Sequence, residues 1–545
     1  MNKYILGLFF LSVFHLNAQQ KWFSGSVYST GQYYLDDTKT GDFSEDNRFR
    51  SNNYLKMDAR LNQFSFGLQL EGYAPQSILN FSPEFDREIG LATYYVKYES
   101  QNLNVTAGTF YEQFGSGMIL RSWEDKELGL NNALEGGNIH YRPFAFLELK
   151  ALYGKHRNGF SRSDGSVFGG DFSMDLSSAL GFSQGNVLFG GSWVNRHQSL
   201  EHTNPEFDES TSAYAGRFSI SSGNFYSNFE YVYKAKDALV EFDFVNTDAL
   251  AKGSGLLLNT GYSQKGFGLD ATFRRIENMS FYSDREKEGN IYNEQLVNYV
   301  PGLTKQHDYG LANIYVYQSQ GRLSYNPIGK AGEIGSQIDL FYTIKKGTTF
   351  GGKYGSKIAV NYATWYGLDA TFDIANRTYS SNYLSFGKKY FSDFNIEFRK
   401  KWTKKWSSIF TFIDLFYSKK YVEETSGKVD AKIAIAEATY KFSGKSSLRT
   451  ELQHLWTTDD KKNWVAGTIE LNVSSNLSFF VADMYNYENP LQKIHYYNFG
   501  GSFTKNRTRL ALNYGRQRGG LLCVGGVCRI VPESTGIGFT LNHTF

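Results

Sequence analysis

The sequence predicts an all-β protein: a transmembrane antiparallel β-barrel of roughly 24 strands, within about 22–26, following a cleaved signal peptide. Three observations carry that prediction. The chain closes on an amphipathic strand whose last residue is Phe545. Aromatic residues make up 17% of the sequence, with 39 Tyr and 45 Phe, although the mean hydropathy is negative. Segments of period-two alternation are joined by turns that are alternately short and long.

At the front, Lys3 supplies a positive start and Ile5 to Phe14 is an almost unbroken apolar stretch. Leu16-Asn17-Ala18 ends on the small residue that signal peptidase requires, so residues 1–18 read as a secretory signal peptide and Gln19 as the mature start. The stretch is too short for a spanning helix, which needs about 18 apolar residues or more. A buried N-terminal helix is the competing reading. No cysteine follows the cleavage site, which speaks against a lipid anchor.

By length alone residues 19–545 would make about three or four soluble domains. Yet no Pro- or Ser-rich linker and no charge block divides them, and the 54 Gly and 8 Pro suit many strands joined by tight turns. A barrel in a bilayer needs apolar residues only on its outer band, polar residues inside, and aromatic rings at both interfaces. No internal run is long and apolar enough for a membrane helix, which leaves the barrel as the membrane solution. An array of water-soluble β-sandwiches is the structural alternative.

Alternation defines the strands. Phe64, Phe66, Leu68 and Leu70 alternate with Ser65, Gly67, Gln69 and Glu71; Leu510, Leu512 and Tyr514 alternate with Arg509, Ala511, Asn513 and Gly515. A dry core would not accept these charges unpaired, whereas a watery lumen would. Short turns fall at Asn62-Gln63, Ser100-Gln101-Asn102, Gly223-Asn224 and Lys505-Asn506-Arg507. Longer polar loops fall near 36–50, 76–89, 113–136, 198–210, 278–308 and 517–535, all expected outside the barrel mouth except 113–136. The stretch 348–391 fits either one long loop or a further hairpin.

The net charge of +3 is dispersed and leaves no nucleic-acid footprint. Its placement is more informative: the outer loop Asp36 to Asp46 is acidic, and the short turn Arg399 to Trp406 is basic. Trp402 and Trp406 flank that turn where an interfacial belt belongs, and its lysines can reach lipid phosphates. The same pattern also fits a solvated basic turn.

Segment 113–136 is expected to fold into the lumen and narrow or plug it. Gly115-Ser116-Gly117 breaks the strand, since glycine adopts backbone angles closed to other residues. Beyond it, Met118, Ile119, Leu120, Leu128 and Leu130 are too apolar for a solvated loop. Arg121, Trp123, Glu124, Asp125, Lys126 and Glu127, with five formal charges of one sign or the other close together, are too polar for lipid and are the candidate constriction residues. An ordered surface loop is the alternative.

Cys523 and Cys528 are the only cysteines. An exported chain meets an oxidising compartment, so a disulfide shaping the last outer loop is expected. In the final strand, Ile537, Phe539, Leu541 and Phe545 share one parity and form the barrel-closing face, interrupted only by His543. Arg274, Arg275, Arg509, Arg516 and Arg518 read either as a cationic lumen wall or, preferentially, as partners of nearby carboxylates. No His-Glu-x-x-His or Gly-x-Ser-x-Gly motif occurs, so no catalytic residues, metal ligands or cofactor are assigned and no enzymatic activity is expected.

The runs Gly115 to Arg121 with Leu128 to Asn132, and Gly515 to Arg518 with Cys523 to Arg529, resemble those of an uncharacterised outer-membrane β-barrel family of Bacteroidota-type bacteria. The resemblance covers nearly all of residues 19–545 and implies location and fold rather than activity. It also implies partners: outer-membrane lipid, the barrel-assembly machinery during biogenesis and other envelope proteins. It does not extend to TonB-dependent receptors, which carry a folded plug domain ahead of the barrel. Two functions follow as expectations. One is a porin-like channel for small hydrophilic solutes. The other is a non-transporting barrel subunit of an outer-membrane secretion, uptake or assembly complex.

Overall fold

The computed structural model describes residues 22–545 except 74, 80–84, 86–88, 183, 242–243, 289, 291–293, 443 and 525–526, with backbone alone at 521–524, 527, 528 and 530. The expected signal peptide, 1–18, therefore lies outside the described residues. One antiparallel sheet of 24 strands closes on itself. The first strand, Phe23–Leu35, pairs with Phe49–Leu61 on one side and with the last strand, Ser534–Thr544, on the other. The result is a barrel of the outer-membrane type. No described helix is long and apolar enough to cross a membrane, which says nothing against crossing by strands.

The alternation read from the sequence sets which side chains face out. On Ser210–Ser222, Tyr214, Phe218 and Ile220 are exposed on the outer surface, while Ala213 is buried inside and Arg217 points inward to Asp171 at 2.7 Å. The final strand behaves alike: Ile537 and Phe539 lie on the exposed outer face. Space for these rings is made by glycine. A Cβ on Gly31 would lie 2.2 Å from the Phe539 ring, and one on Gly25 would lie 2.3 Å from the Phe545 ring. Phe545 also exchanges both backbone hydrogen bonds with Gly25, at 3.2 and 2.9 Å, so the seam is paired to its last residue.

With an even number of strands, both described ends of the chain, Trp22 and Phe545, reach the same end of the barrel. Turns 62–63, 100–102, 223–224, 402–405 and 506–507 lie at this inner end. The opposite, outer end carries the long connections 36–48, 111–133, 278–331, 418–428 and 518–533. The stretch 348–391, open in the sequence, belongs to a hairpin of two long strands, Ser356–Asp373 and Thr378–Lys401.

The long connection after Glu277 differs from expectation. Sequence alone placed 278–308 among the outer loops, but the segment runs to residue 331 and turns into the barrel. Its Met279, Phe281, Val297, Leu311, Tyr315 and Tyr317 are all buried, because they meet apolar inward-facing wall residues rather than water.

A two-loop plug in the outer half of the lumen

Two segments fill the outer half of the barrel. The first, 111–133, folds as two minute hairpins: Gln113–Phe114 with Leu120–Arg121, and Glu124–Asp125 with Leu130–Asn131. Gly115 and Gly117, at φ of +55° and +95°, make the first reversal, which L side chains would resist. The Asp125 carboxylate closes the second by accepting from the backbone N–H groups of Glu127 and Leu128 at 2.9 and 3.0 Å.

The first hairpin packs its apolar residues on the wall. Phe114, Met118, Ile119 and Leu120 are buried against inward-facing Leu152, Val167, Val194, Ala213, Val232 and Ile276 from six strands. Burying an apolar side chain of this size contributes on the order of 1.5–3 kcal/mol, which outweighs the exposed-loop alternative. Ser116 is held by its backbone N–H, which donates to Glu230 Oε2 at 2.8 Å.

The six candidate constriction residues run from the end of the first hairpin, Arg121, through Trp123 to the second, and they do not form one ring. Arg121 packs against both Trp123 and Tyr299, which meet edge to face at 5.6 Å, with its guanidinium carbon 4.7 and 4.0 Å from the ring centres. Glu124 accepts from the Gln69 amide at 2.6 Å, and the Lys126 ammonium lies 5.1 Å from the Tyr54 ring, both on the wall. Asp125 serves its own turn, and Glu127 is exposed.

The second segment, 278–331, is the larger part of the plug. Its beginning is pinned by polar contacts to the wall: Ser283 to His156 at 2.8 Å, and Asp284 to the Gln198 amide at 2.8 Å. Arg285, 3.5 Å from Asp237, is drawn down to about 10 by burial against the opposing pull of that carboxylate, and so remains charged at neutral pH. Its later part is an aromatic core. Tyr309, Leu311, Tyr315 and Tyr317 pack on Trp365, Phe391, Ile413, Leu415, Ile433 and Leu455 of the facing wall. Tyr317 stacks on Phe391 at 5.0 Å and donates to Glu333, which also pairs with buried Arg274 at 2.6 Å.

The two segments lock together. The Arg121 backbone N–H donates to the Val297 carbonyl at 2.8 Å, and that of Tyr299 donates to Gly117 at 2.9 Å. The Asn132 amide donates to the Leu296 carbonyl at 3.2 Å. The last outer connection joins them through Arg529, whose Nε donates to the Leu128 carbonyl at 3.2 Å. The sequence located the first segment through its mixed apolar and charged content. The residues that bury the second, Tyr309, Leu311, Tyr315 and Tyr317, lie beyond 308, outside the polar stretch expected as an outer loop.

Toward the inner end the lumen changes character. Down the inward face of Thr378–Lys401, buried Phe391 gives way to Asp393 and Asn395, then to the Glu397–Arg399 pair, whose Arg399 is exposed. On Ser447–Trp456 the same descent runs Leu455, Gln453, Glu451, Arg449. Of the five arginines, Arg274 and Arg275 pair with Glu333 and Glu277, and Arg516 with Asp37 at the outer rim, while Arg518 donates to the Asn313 carbonyl at 3.1 Å.

In the last outer connection, backbone register opposes Cys523 to Cys528 across a small hairpin, Gly520–Val524 with Val527–Val531. Their side chains, and with them the expected disulfide, lie outside the described residues. Among the described residues no group of three or more His, Cys, Asp or Glu is placed to hold a metal ion.

No curated protein matches this chain. Solved structures similar to it are outer-membrane barrels. The translocation pore of the P pilus usher PapC shares 9% identity at a TM-score of 0.43, over 96% of this chain and 99% of that one. The siderophore receptor PirA from Pseudomonas aeruginosa shares 9% at 0.42, over 97% and 81%. OccAB4 of Acinetobacter baumannii shares 10% at 0.35, over 87% and 98%. At these scores the similarity adds nothing to the strand count and register given above. A family model does match the whole chain, residues 1–545, and the protein accordingly belongs to the family of unknown function DUF6029.

Proposed function

We propose that this protein is an integral outer-membrane barrel, exported by way of residues 1–18, that serves as a gated channel for small hydrophilic solutes and is closed at rest. The single observation supporting this is the division of the lumen. Its outer half is a packed core built by 111–133 and 278–331, and its inner half is lined by charged and amide side chains, of which Asp393, Asn395, Glu451 and Gln453 are buried while Arg399 is exposed and Glu470 partly exposed. A belt of outward aromatic residues with polar residues inside suits a bilayer. The inner end, with short basic turns, then faces the periplasm, and the long loops face outward. Solute passage requires the later part of 278–331 to leave the wall.

The second reading, a non-transporting subunit of an envelope complex, is favoured by one feature: the buried wall pair Arg274–Glu333 fastens the plug through Pro301, Tyr317 and Gln320. Planar-bilayer recordings separate the two. The wild-type barrel is expected to be nearly silent, and a variant with 303–325 replaced by a short Gly-Ser linker is expected to conduct ions in stable steps. A wild type with a large steady conductance rejects the closed plug. A linker variant that inserts but stays silent leaves the subunit reading.

A further inference from the structure

The outer wall has a furrow near its inner end, on strands Trp406–Tyr417 to Leu477–Tyr485. Along the belt, outward positions are mostly large, such as Phe410, Phe412, Val481 and Phe499. Here the small residues Ser408, Ala436, Ala438 and Thr450 occupy neighbouring outward positions on three adjacent strands, in the register Ser408↔Ala438↔Thr450, and Gly467 lies beyond the protruding Leu452. They line a concavity of about 720 Å³ between Trp402, Trp406 and Phe410 on one side and Leu452 and Ile469 on the other. Trp402 leaves its turn and folds back along this face, with its indole N–H donating to Ser408 Oγ at 2.7 Å.

Immediately below the furrow the inner rim is basic. Three successive inner turns and their flanks, 345–357, 399–406 and 441–447, contain Lys345, Lys346, Lys353, Lys357, Lys400, Lys401, Lys404, Lys405, Lys441 and Lys445 together with Arg399, and no acidic residue. Lys404 and Lys405 are exposed at the tip of the middle turn, beside Trp402 and Trp406. Apolar furrow, tryptophan pair and lysines thus follow one another along the direction a lipid would lie, chain to head group.

We propose that this furrow is a binding site for one anionic glycerophospholipid of the inner leaflet, its acyl chains laid over Ala436, Ala438 and Thr450 against the flank of Leu452 and its phosphate held by Lys404 and Lys405. The inference rests on the outer-membrane reading above, which sets the inner end in the phospholipid leaflet. Charge complementarity selects the occupant. A zwitterionic lipid fills the furrow equally but offers the lysines no net charge, and basic residues near a bilayer attract anionic head groups. A protein segment would have to match the bare positive rim with acidic residues while lying within the hydrocarbon layer.

The test uses the full chain in nanodiscs of phosphatidylcholine containing a minor fraction of phosphatidylglycerol, released for native mass spectrometry. One retained phosphatidylglycerol per barrel is expected, in excess over its share of the bilayer. Lys404→Gln and Lys405→Gln should each lower that retention roughly fivefold. Ala436→Phe with Ala438→Phe, which fill the furrow from the lipid side, should abolish it, while heat-dependent gel migration confirms that the barrel still folds. Equal retention of both lipids, indifference to the furrow variants, or a co-purifying protein chain in place of lipid overturns the proposal. Failure to insert into nanodiscs at all overturns instead the membrane reading on which it stands.

Discussion

Gly165 on the barrel wall and Ser283 in the in-folded loop approach so closely that a Cβ on Gly165 would lie 1.8 Å from the Ser283 carbonyl oxygen. The obstructing atom is backbone, so it cannot rotate away. Around it, the Asp164 N–H donates to Asp284 at 2.9 Å and Ser283 meets His156, so the loop is seated against the wall on both sides of the contact. Gly165→Val is expected to push 281–285 inward at a cost of about 1–3 kcal/mol. The barrel sheet should be spared, because the added side chain points into the lumen. Limited proteolysis should then cut within 278–331 faster than in the wild type, with heat-dependent gel migration unchanged. Equal protease resistance would count against a tightly seated plug.

Glu333 is the polar centre of the plug. It accepts from Arg274 at 2.6 Å, from the Gln320 N–H at 2.7 Å, from Ser319 Oγ at 3.1 Å and from the Tyr317 hydroxyl. Both ionic partners are almost fully buried. Glu333→Ala strands a guanidinium in a dry site, a loss on the order of 3–5 kcal/mol. Arg274→Met with Glu333→Leu removes both charges and should recover most of it. The measurement is the midpoint of urea unfolding from detergent micelles. A single variant as stable as the double one would show that the pair is wet rather than buried.

A pH response follows from His307, which lies in the plug 6.0 Å from the Tyr309 ring. Burial, aided by Lys305, holds its imidazole down at about 4 against an ordinary 6.5; Glu397 and Asp308 oppose this without cancelling it. The packed plug accepts the neutral ring, and the released loop would take up a proton below 6.5. Plug stability is therefore complete above pH 6.5 and declines as pH falls toward 4, by about 2–3 kcal/mol in all. Protease sensitivity of 278–331, or channel activity, should rise across that window. His307→Phe keeps a ring against Tyr309 and should flatten the profile; an unchanged slope in that variant would assign the response elsewhere.

How far the sequence revealed this molecule depends on the range of the interaction. Strand faces were legible because alternation is a local property: Phe64, Phe66 and Leu68 follow directly from the pleat, and so does the row Ile537, Phe539, Leu541. The residues of 113–136 that pack on the wall, Met118, Ile119 and Leu120, stand out in the sequence because an apolar run beside charged residues suits neither water nor lipid. The larger part of the plug does not. Tyr309, Tyr315 and Tyr317 have no repeat, and what buries them, Trp365, Phe391 and Leu455, lies 50 to 150 residues away, roughly, on strands whose inward faces look polar at their inner ends. Nor could spacing have shown that Arg121 would lie on Tyr299 instead of facing the open lumen.

That contact gives the last prediction. Arg121 joins the two plug segments in two ways. Its backbone N–H donates to Val297 at 2.8 Å, and its guanidinium lies 4.0 Å from the Tyr299 ring centre and 4.7 Å from that of Trp123, which itself meets Tyr299 edge to face. The backbone bond survives any substitution, so a variant reports on the side chain. Arg121→Ala removes a partly desolvated cation–π contact of about 1–2 kcal/mol. Arg121→Lys keeps the charge but loses the flat face that stacks on both rings, and should recover only part of it. Hydrogen exchange at the Tyr299 amide, bonded to Gly117 at 2.9 Å, reads the effect where it acts. Protection there should fall roughly tenfold in Arg121→Ala, and the loss should not add to that of Tyr299→Leu, since the two residues share one interaction. Strict additivity of the two variants would mean that 111–133 and 278–331 occupy the lumen independently, and the plug would have to be described as two separate loops.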